Sequence, residues 1–261
     1  MNSNIKLITW FVQKLKLFSK DDLEELIEHK KLVINHEKVK HSDLIINLAN
    51  DVFAFKVKNL NMSKDIPYVY WIFNKTEKFI TSYTEKNSKP SIFNLSTIKK
   101  IPFLLYPLTP LSFWSQGLIL LTNDALMAYK LNFEKKYEIK HHYQILLNKK
   151  ISPTEEEQIL STDLKINTNS PAEKIKLKFL DSTNLGASKG FWYYLVSYES
   201  NDFAIKRFFM KLNPTYKIVK LIKIGMAHLR LPPTLKAGTY IQLRSQDIKK
   251  FKKYLNINSI I

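Results

Sequence analysis

The chain has no cysteine, and that absence removes disulfides, thiolate metal sites and cysteine nucleophiles together. It also fits a reducing compartment. Glycine is nearly as scarce, at five in 261 residues, too few to build a phosphate-cradling glycine loop. No run of eighteen apolar residues free of charge occurs, so no spanning helix is expected. Acid is missing from two whole stretches, the first twenty residues and the window between Glu85 and Asp124. Within the second window no sequence neighbour can supply a carboxylate.

What remains is the composition of a folded, basic protein. Hydrophobic residues make up 45% and aromatics 13%, enough to build a core. The formal net charge of +18 is unfavourable to a compact state unless a polyanion supplies counter-charge, which points to nucleic acid. Residues 1–60 carry ten Lys and Arg against eight Asp and Glu, so the remainder holds a net +16 and most of the expected contact surface. Abundant Lys, Asn and Ile suggest an AT-rich genome.

Along the chain, Ile5, Leu7, Ile8, Phe11, Val12 and Leu15 fall on one helical stripe, read as the first helix of a folded domain rather than a targeting helix. Ser19 is placed to cap a second helix, with Asp21, Asp22 and Glu24 complementing its dipole. Residues 29–36 read as a turn into a short strand and residues 51–57 as another strand. Residues 59–67 form a polar connector. Tyr68 to Phe73, Gly117 to Thr122, Tyr137 to Leu147, Phe191 to Tyr198 and Val219 to Gly225 read as strands. Helices are expected from Asp124 to Leu131 and from Pro153. Residues 83–100 are expected to be an exposed loop with one short helix, and residues 161–190 carry only weak strand patterning.

The stretch from Gly117 to Asp124, G-L-I-L-L-T-N-D, resembles a signature of the rRNA pseudouridine synthases of the Rsu and Rlu type. That family reads G-R-L-D-x-x-T-E-G-L-L-L-L-T-N-D, and its Asp does the chemistry. Counting back from Gly117 puts the family Asp on Ser112, the family Arg on Pro110 and the family Glu on Gln116. Further matches keep the family's order. Asn74-Lys75 stands for its N-K-P, and Tyr143 falls where K-x-Y sets an aromatic against the target base. Glu199 to Phe209 aligns with E-G-x-x-x-Q-[IV]-R-R-M, with Lys206 and Arg207 for the two arginines. Lys223 replaces the Arg of L-x-R-x-x-I-G, and Lys236 to Tyr240 resembles P-G-x-[WY]. Residues 1–60 resemble the small RNA-binding domain shared with the small-subunit ribosomal protein four. There the family reads S-R and I-x-x-G-x-V-x-V-N-G, with Lys30 and His36 here in place of its glycines.

The resemblance implies an α+β chain in two domains. Residues 1–60 would form a small α/β RNA-binding domain, and residues 67–261 a synthase-like domain on mixed, mainly antiparallel sheet with flanking helices. It implies RNA contacts at Ser19, Lys20, Lys30, Lys31, Asn35, Lys75, Tyr143, Lys206, Arg207 and Lys223. Pseudouridine formation needs a carboxylate at a nucleotide taken out of its stack. Serine cannot replace it, because a hydroxyl is far less acidic and has no base here to activate it. The expectation is therefore a catalytically inactive homologue, with no catalytic residue assigned. It would bind rRNA beside ribosomal proteins in a ribosome, mitochondrial by composition or else in a bacterial cytoplasm. The alternatives are a ribosome assembly factor, and an active synthase with a relocated acid. No cofactor, metal or membrane partner is expected. His141 and His142 are adjacent on a strand and point to opposite faces, so they do not chelate one metal easily.

Overall fold

The computed structural model describes residues 4–35, 37–51, 53–55, 67–85, 87–102, 104–134, 139–161, 166, 173, 175–186 and 188–257. The chain opens with strand β1 (Asn4–Lys6), a π-helical turn (Thr9–Lys14) and helix α1 (Lys20–Glu28). Strands β2 (Leu32–Ile34), β3 (Glu37–Lys38), β4 (Ile45–Asn47) and β5 (Phe53–Phe55) come next. The expected helical stripe from Ile5 is thus a strand first. Ile5 is β-branched and pairs with Ile46 across β4, and only beyond Leu7 does the backbone coil. Ser19 caps α1, accepting from the Asp22 N–H at 3.1 Å. Lys30 and Asn35, at the two ends of the turn and short strand, take left-handed φ values of 55° and 46°. The turn is made without glycine at Lys30, at a cost of about 1 kcal/mol per such residue. His36 and the connector residues 59–66 lie outside the described residues, as do Val52, Lys56 and Val57 of the expected second strand.

The N-terminal elements pack directly onto the larger C-terminal part. Leu7, Trp10, Phe11 and Phe53 share one core with Leu104, Tyr106, Ala125 and Ala128. The Tyr83 N–H donates to the Leu17 carbonyl at 2.7 Å, and the Leu104 N–H to the Phe53 carbonyl at 3.1 Å.

The remainder is built on β6 (Tyr70–Lys75), β7 (Tyr106–Leu108), β8 (Gln116–Thr122), β9 (His141–Leu147), β10 (Lys176–Leu185), β11 (Ser188–Ser197), β12 (Ile218–Met226), β13 (Leu229–Arg230) and β14 (Tyr240–Gln242). Among the described residues these make one nine-stranded sheet, with the main path β10-β11-β9-β12-β8-β6-β14. Every pairing is antiparallel except β12 with β8, where Ile222 meets Gln116 and Lys223 meets Gly117. Helices α2 (Ala125–Tyr129), α3 (Pro153–Ser161), α4 (Asp202–Leu212) and α5 (Ser245–Tyr254) flank it.

Strand β8 shows why the sheet needs cover on both faces. Leu118 and Leu120 enter one core with Met127 and Phe251, while Ile119 and Leu121 enter another with Phe73 and Phe93. Each such buried side chain contributes roughly 1.5–3 kcal/mol, so the continuous apolar run is that of a central strand. A third core packs Tyr143, Ile145 and Leu147 of β9 against Ile205, Phe208 and Phe209 of α4. That contact fixes where the first turn of α4 lies. The weakly patterned region before residue 190 supplies the long hairpin β10–β11, paired from Lys176 opposite Val196 to Leu185 opposite Ser188 with a register shift between Phe179 and Asp181.

Candidate active site

At the entry to β8 the chain makes a tight turn, and the Ser115 N–H donates to the Ser112 carbonyl at 3.2 Å. Gly117 then brings β8 against β12. Its φ is +111°, and a Cβ there would stand 2.2 Å from the Lys223 carbonyl oxygen. Only glycine fits such an approach. The turn is thereby held beside Lys223.

The first turn of α4 closes on it from the other side. Asn201 caps the helix, its side chain accepting from the Phe203 N–H at 3.1 Å, and Asp202 is the first helical residue. An acid is stabilised at that end of the helix dipole. The Asp202 carboxylate accepts the Ser112 N–H at 3.1 Å on Oδ2 and 3.3 Å on Oδ1, and Oδ2 also accepts the hydroxyls of Ser112 and Ser115. Oδ1 carries only the longer of these bonds. The carboxylate thus lies against the backbone of Ser112, the residue where the family motif has its Asp. The two are 90 positions apart in sequence.

A cavity of 490 Å³ opens here, with Ser112, Phe113, Asn201, Asp202 and Phe203 on its wall and Ser82 and Asn132 adding polar groups. That volume is within the range of small-ligand sites, and a nucleoside would fit. Asp202 itself is 2% exposed, so a reacting group must enter the cavity to meet it.

Three lysines feel the charge of the carboxylate without, among the described residues, an ion pair to it. Lys75, at the end of β6, is fully buried and its Nζ donates to the Ser115 carbonyl at 2.8 Å and the Thr76 carbonyl at 3.0 Å. Lys223, in β12, is fully buried and donates to Thr109 Oγ1 at 2.7 Å. Burial pushes both ammonium groups down to about 7, and the charge of Asp202 opposes that fall. Burial lowers Lys206 also, with Asp202 again opposing.

The residues expected to touch RNA therefore divide. Lys75, Lys206 and Lys223 all feel the charge of Asp202, but Lys75 and Lys223 are walled in and offer no surface charge to a phosphate. Tyr143 is fully buried with its hydroxyl donating to the Glu199 carbonyl at 2.9 Å, so it has no open face for a base. Arg207 is exposed on α4. Ser19 gives its hydroxyl to Asp22 and its N–H to Thr84 Oγ1 at 2.8 Å, so protein groups occupy the start of α1. Lys20 pairs with Glu24 at 3.8 Å on the surface, and Lys30 and Lys31 are exposed. Asn35 donates to Asp51 at 2.9 Å. Pro110 is exposed on the cavity wall.

Sequence reasoning missed Asp202, Ser115, Phe203 and Phe133. The pair Asn201-Asp202 was visible as a helix cap followed by an acid inside the matched segment from Glu199. The two serines three apart in the turn were the other signal. Each reads as ordinary helix or turn chemistry until the fold puts them together.

No family model matches the chain. Among named relatives, the ribosomal large subunit pseudouridine synthase B of Buchnera aphidicola subsp. Baizongia pistaciae is 27% identical over 244 residues, covering 90% of this chain and 92% of the relative. The protein of the same name from Bacillus subtilis is 26% identical over 235 residues, covering 90% of each. A solved structure described as a pseudouridylate synthase superposes with a TM-score of 0.59 at 19% identity, covering 95% of this chain and 99% of the other, a likeness of fold. The relatives are named as enzymes and match over about nine-tenths of each chain, which overturns the expectation of a catalytically inactive homologue. That expectation rested on a window of sequence without acid. The fold brings a carboxylate to the same place from α4. The relatives are bacterial, and nothing in them speaks for a mitochondrial ribosome.

Proposed function

We propose that this chain, a member of the rRNA pseudouridine synthase family, is an active synthase whose catalytic carboxylate has moved from position 112 to Asp202. The reaction breaks the C1′–N1 bond of a uridine, turns the base and joins C1′ to C5, while the C5 proton passes to N1. Atoms balance within the nucleotide, and what the protein must supply is a carboxylate, a closed pocket and a held RNA. The single observation behind this reading is the seat of Asp202 on the Ser112 N–H and the two serine hydroxyls, at the wall of a cavity of nucleoside size.

In this reading Asp202 acts on the sugar or as the base during cleavage and reattachment. Ser112 and Ser115 orient it through their hydroxyls on Oδ2. Lys75 holds the turn through the Ser115 carbonyl, and Lys223 ties β12 to Thr109. The substrate is large-subunit rRNA, by analogy with the named relatives, and ribosomal proteins are met as neighbours on that RNA. Residues 1–60 serve as an accessory RNA-binding unit to a catalytic unit of residues 67–261. The bacterial relatives favour a bacterial cytoplasm.

The test is pseudouridine formation in large-subunit rRNA lacking the modification, followed as tritium release from uridine labelled at C5. Asp202→Asn is expected to lower the rate by about a thousandfold or more while RNA binding persists. An unchanged rate removes Asp202 from the chemistry.

A further inference from the structure

The mouth of the cavity carries a pattern that the chemistry does not use. Three phenylalanines stand on its wall, Phe113, Phe133 and Phe203. Phe203 is 52% exposed and Phe133 36%. A lone exposed phenylalanine needs no explanation, because much of any protein surface is apolar. Here each ring has a lysine over its face. Lys89 Nζ lies 5.1 Å from the Phe113 centroid, Lys14 Nζ 5.8 Å from Phe133 and Lys206 Nζ 5.9 Å from Phe203. All three distances are within cation–π range. The pairs come from separate segments of the chain, and Lys14 belongs to the N-terminal part.

We propose that these three pairs form a track for an unpaired RNA strand, and that the substrate uridine lies in a single-stranded loop rather than within a duplex. Each ring offers a π-face on which a base stacks whatever its identity, and each lysine lies where the adjoining phosphate would run. A base paired in a duplex presents no such face, since its neighbours already cover it. All three rings line the same cavity, so the nucleotides next to the target are the ones they would hold. Phe203 follows Asp202 directly in the first turn of α4, so a base stacked there sets the depth at which the target sugar meets the carboxylate. The positive charge of the chain would attract an acidic peptide too, but the exposed rings favour RNA, because a peptide has few aromatic faces to stack on them.

This inference rests on the proposed synthase reading for the identity of the target, and its test separates the two. The full chain is titrated into a labelled RNA oligonucleotide carrying uridine in an unpaired loop, and into a perfect duplex of the same composition. Phe133→Ala and Phe203→Ala are each expected to weaken loop binding about tenfold. Phe133→Ala should raise KM for tritium release with kcat held, and Phe203→Ala, which loses the stop that sets the depth of the target sugar, should lower kcat as well. Tyrosine at either position should restore loop binding to within about twofold and leucine should not, because stacking needs a ring and packing does not. Duplex binding should be unmoved. Leucine serving as well as tyrosine, or loop and duplex weakening alike, would overturn the track. Stronger binding of an acidic peptide than of loop RNA would also overturn it, in favour of a protein partner. Asp202→Asn leaves all these binding results in place, so loss of the catalytic reading and loss of the track are told apart.

Discussion

At the scale of single residues, the site is a carboxylate among buried cations. Lys223 is fully buried, and its ammonium is pushed down to about 7 by burial, with Asp202 opposing. An unfolded chain returns this lysine to its ordinary value near 10.5. Between pH 7 and 10.5 the unfolded state therefore binds more protons than the folded one, and stability rises with pH across that window. Below pH 7 both states are protonated and the contribution is flat. Lys75 has the same direction and the same midpoint, so the two add. Chemical denaturation at a series of pH values should show a rise approaching about 2–3 kcal/mol per pH unit above pH 7, with about half of it from each lysine. Lys223→Met should lessen the slope in that window, because one of the two protons then leaves the balance. A Met variant with the full slope would show that Lys223 is charged as readily in the fold as in water.

At the scale of elements, the entry to β8 decides whether the site exists. The strand and its G-L-I-L-L-T-N-D pattern were legible because a continuous apolar run bounded by a turn has few other readings. Gly117 was legible as a family glycine, but its reason lies in space, where β12 comes within 2.2 Å of any added Cβ. Gly117→Ala must move backbone at a positive φ, and it is expected to cost about 3 kcal/mol or more, read as a lowered denaturant midpoint. A midpoint within error of the parent would mean that β8 and β12 can part without loss. Helix α4 was read only as a segment matching the family motif from Glu199, not as a helix, although Asn201 caps it and Asp202 opens it. What could not be read along the chain was that its first residue faces Ser112, since that depends on Ile205, Phe208 and Phe209 docking on β9. Hairpin β10–β11 was the part least visible. The β10 face is exposed along most of its length, and a strand with little to bury has weak alternation.

At the scale of the whole molecule, the net charge of +18 and the lysines set against the phenylalanines of the cavity wall point the same way. Affinity for a large-subunit rRNA fragment should fall steeply with salt, by about a thousandfold or more between 50 and 200 mM if six or more phosphates are engaged. A flat salt response would remove the electrostatic footing of the RNA assignment. The likeness to the named synthases and the fold were both legible in the order of weak motifs along the chain. The state of the active site was not, because a function carried by a carboxylate survives when another position supplies it. Counting acids near Ser112 in the sequence could not find Asp202, which the sheet and α4 bring to within 3.1 Å of the Ser112 N–H.

The most direct test moves the carboxylate back. Tritium release from C5-labelled rRNA is measured for the parent, for Asp202→Asn, and for the double variant Ser112→Asp with Asp202→Asn. If Asp202 carries the chemistry, the single variant loses at least about a thousandfold in rate and the double variant recovers a large part of it, with RNA binding alike in all three. A single variant as fast as the parent would contradict the account.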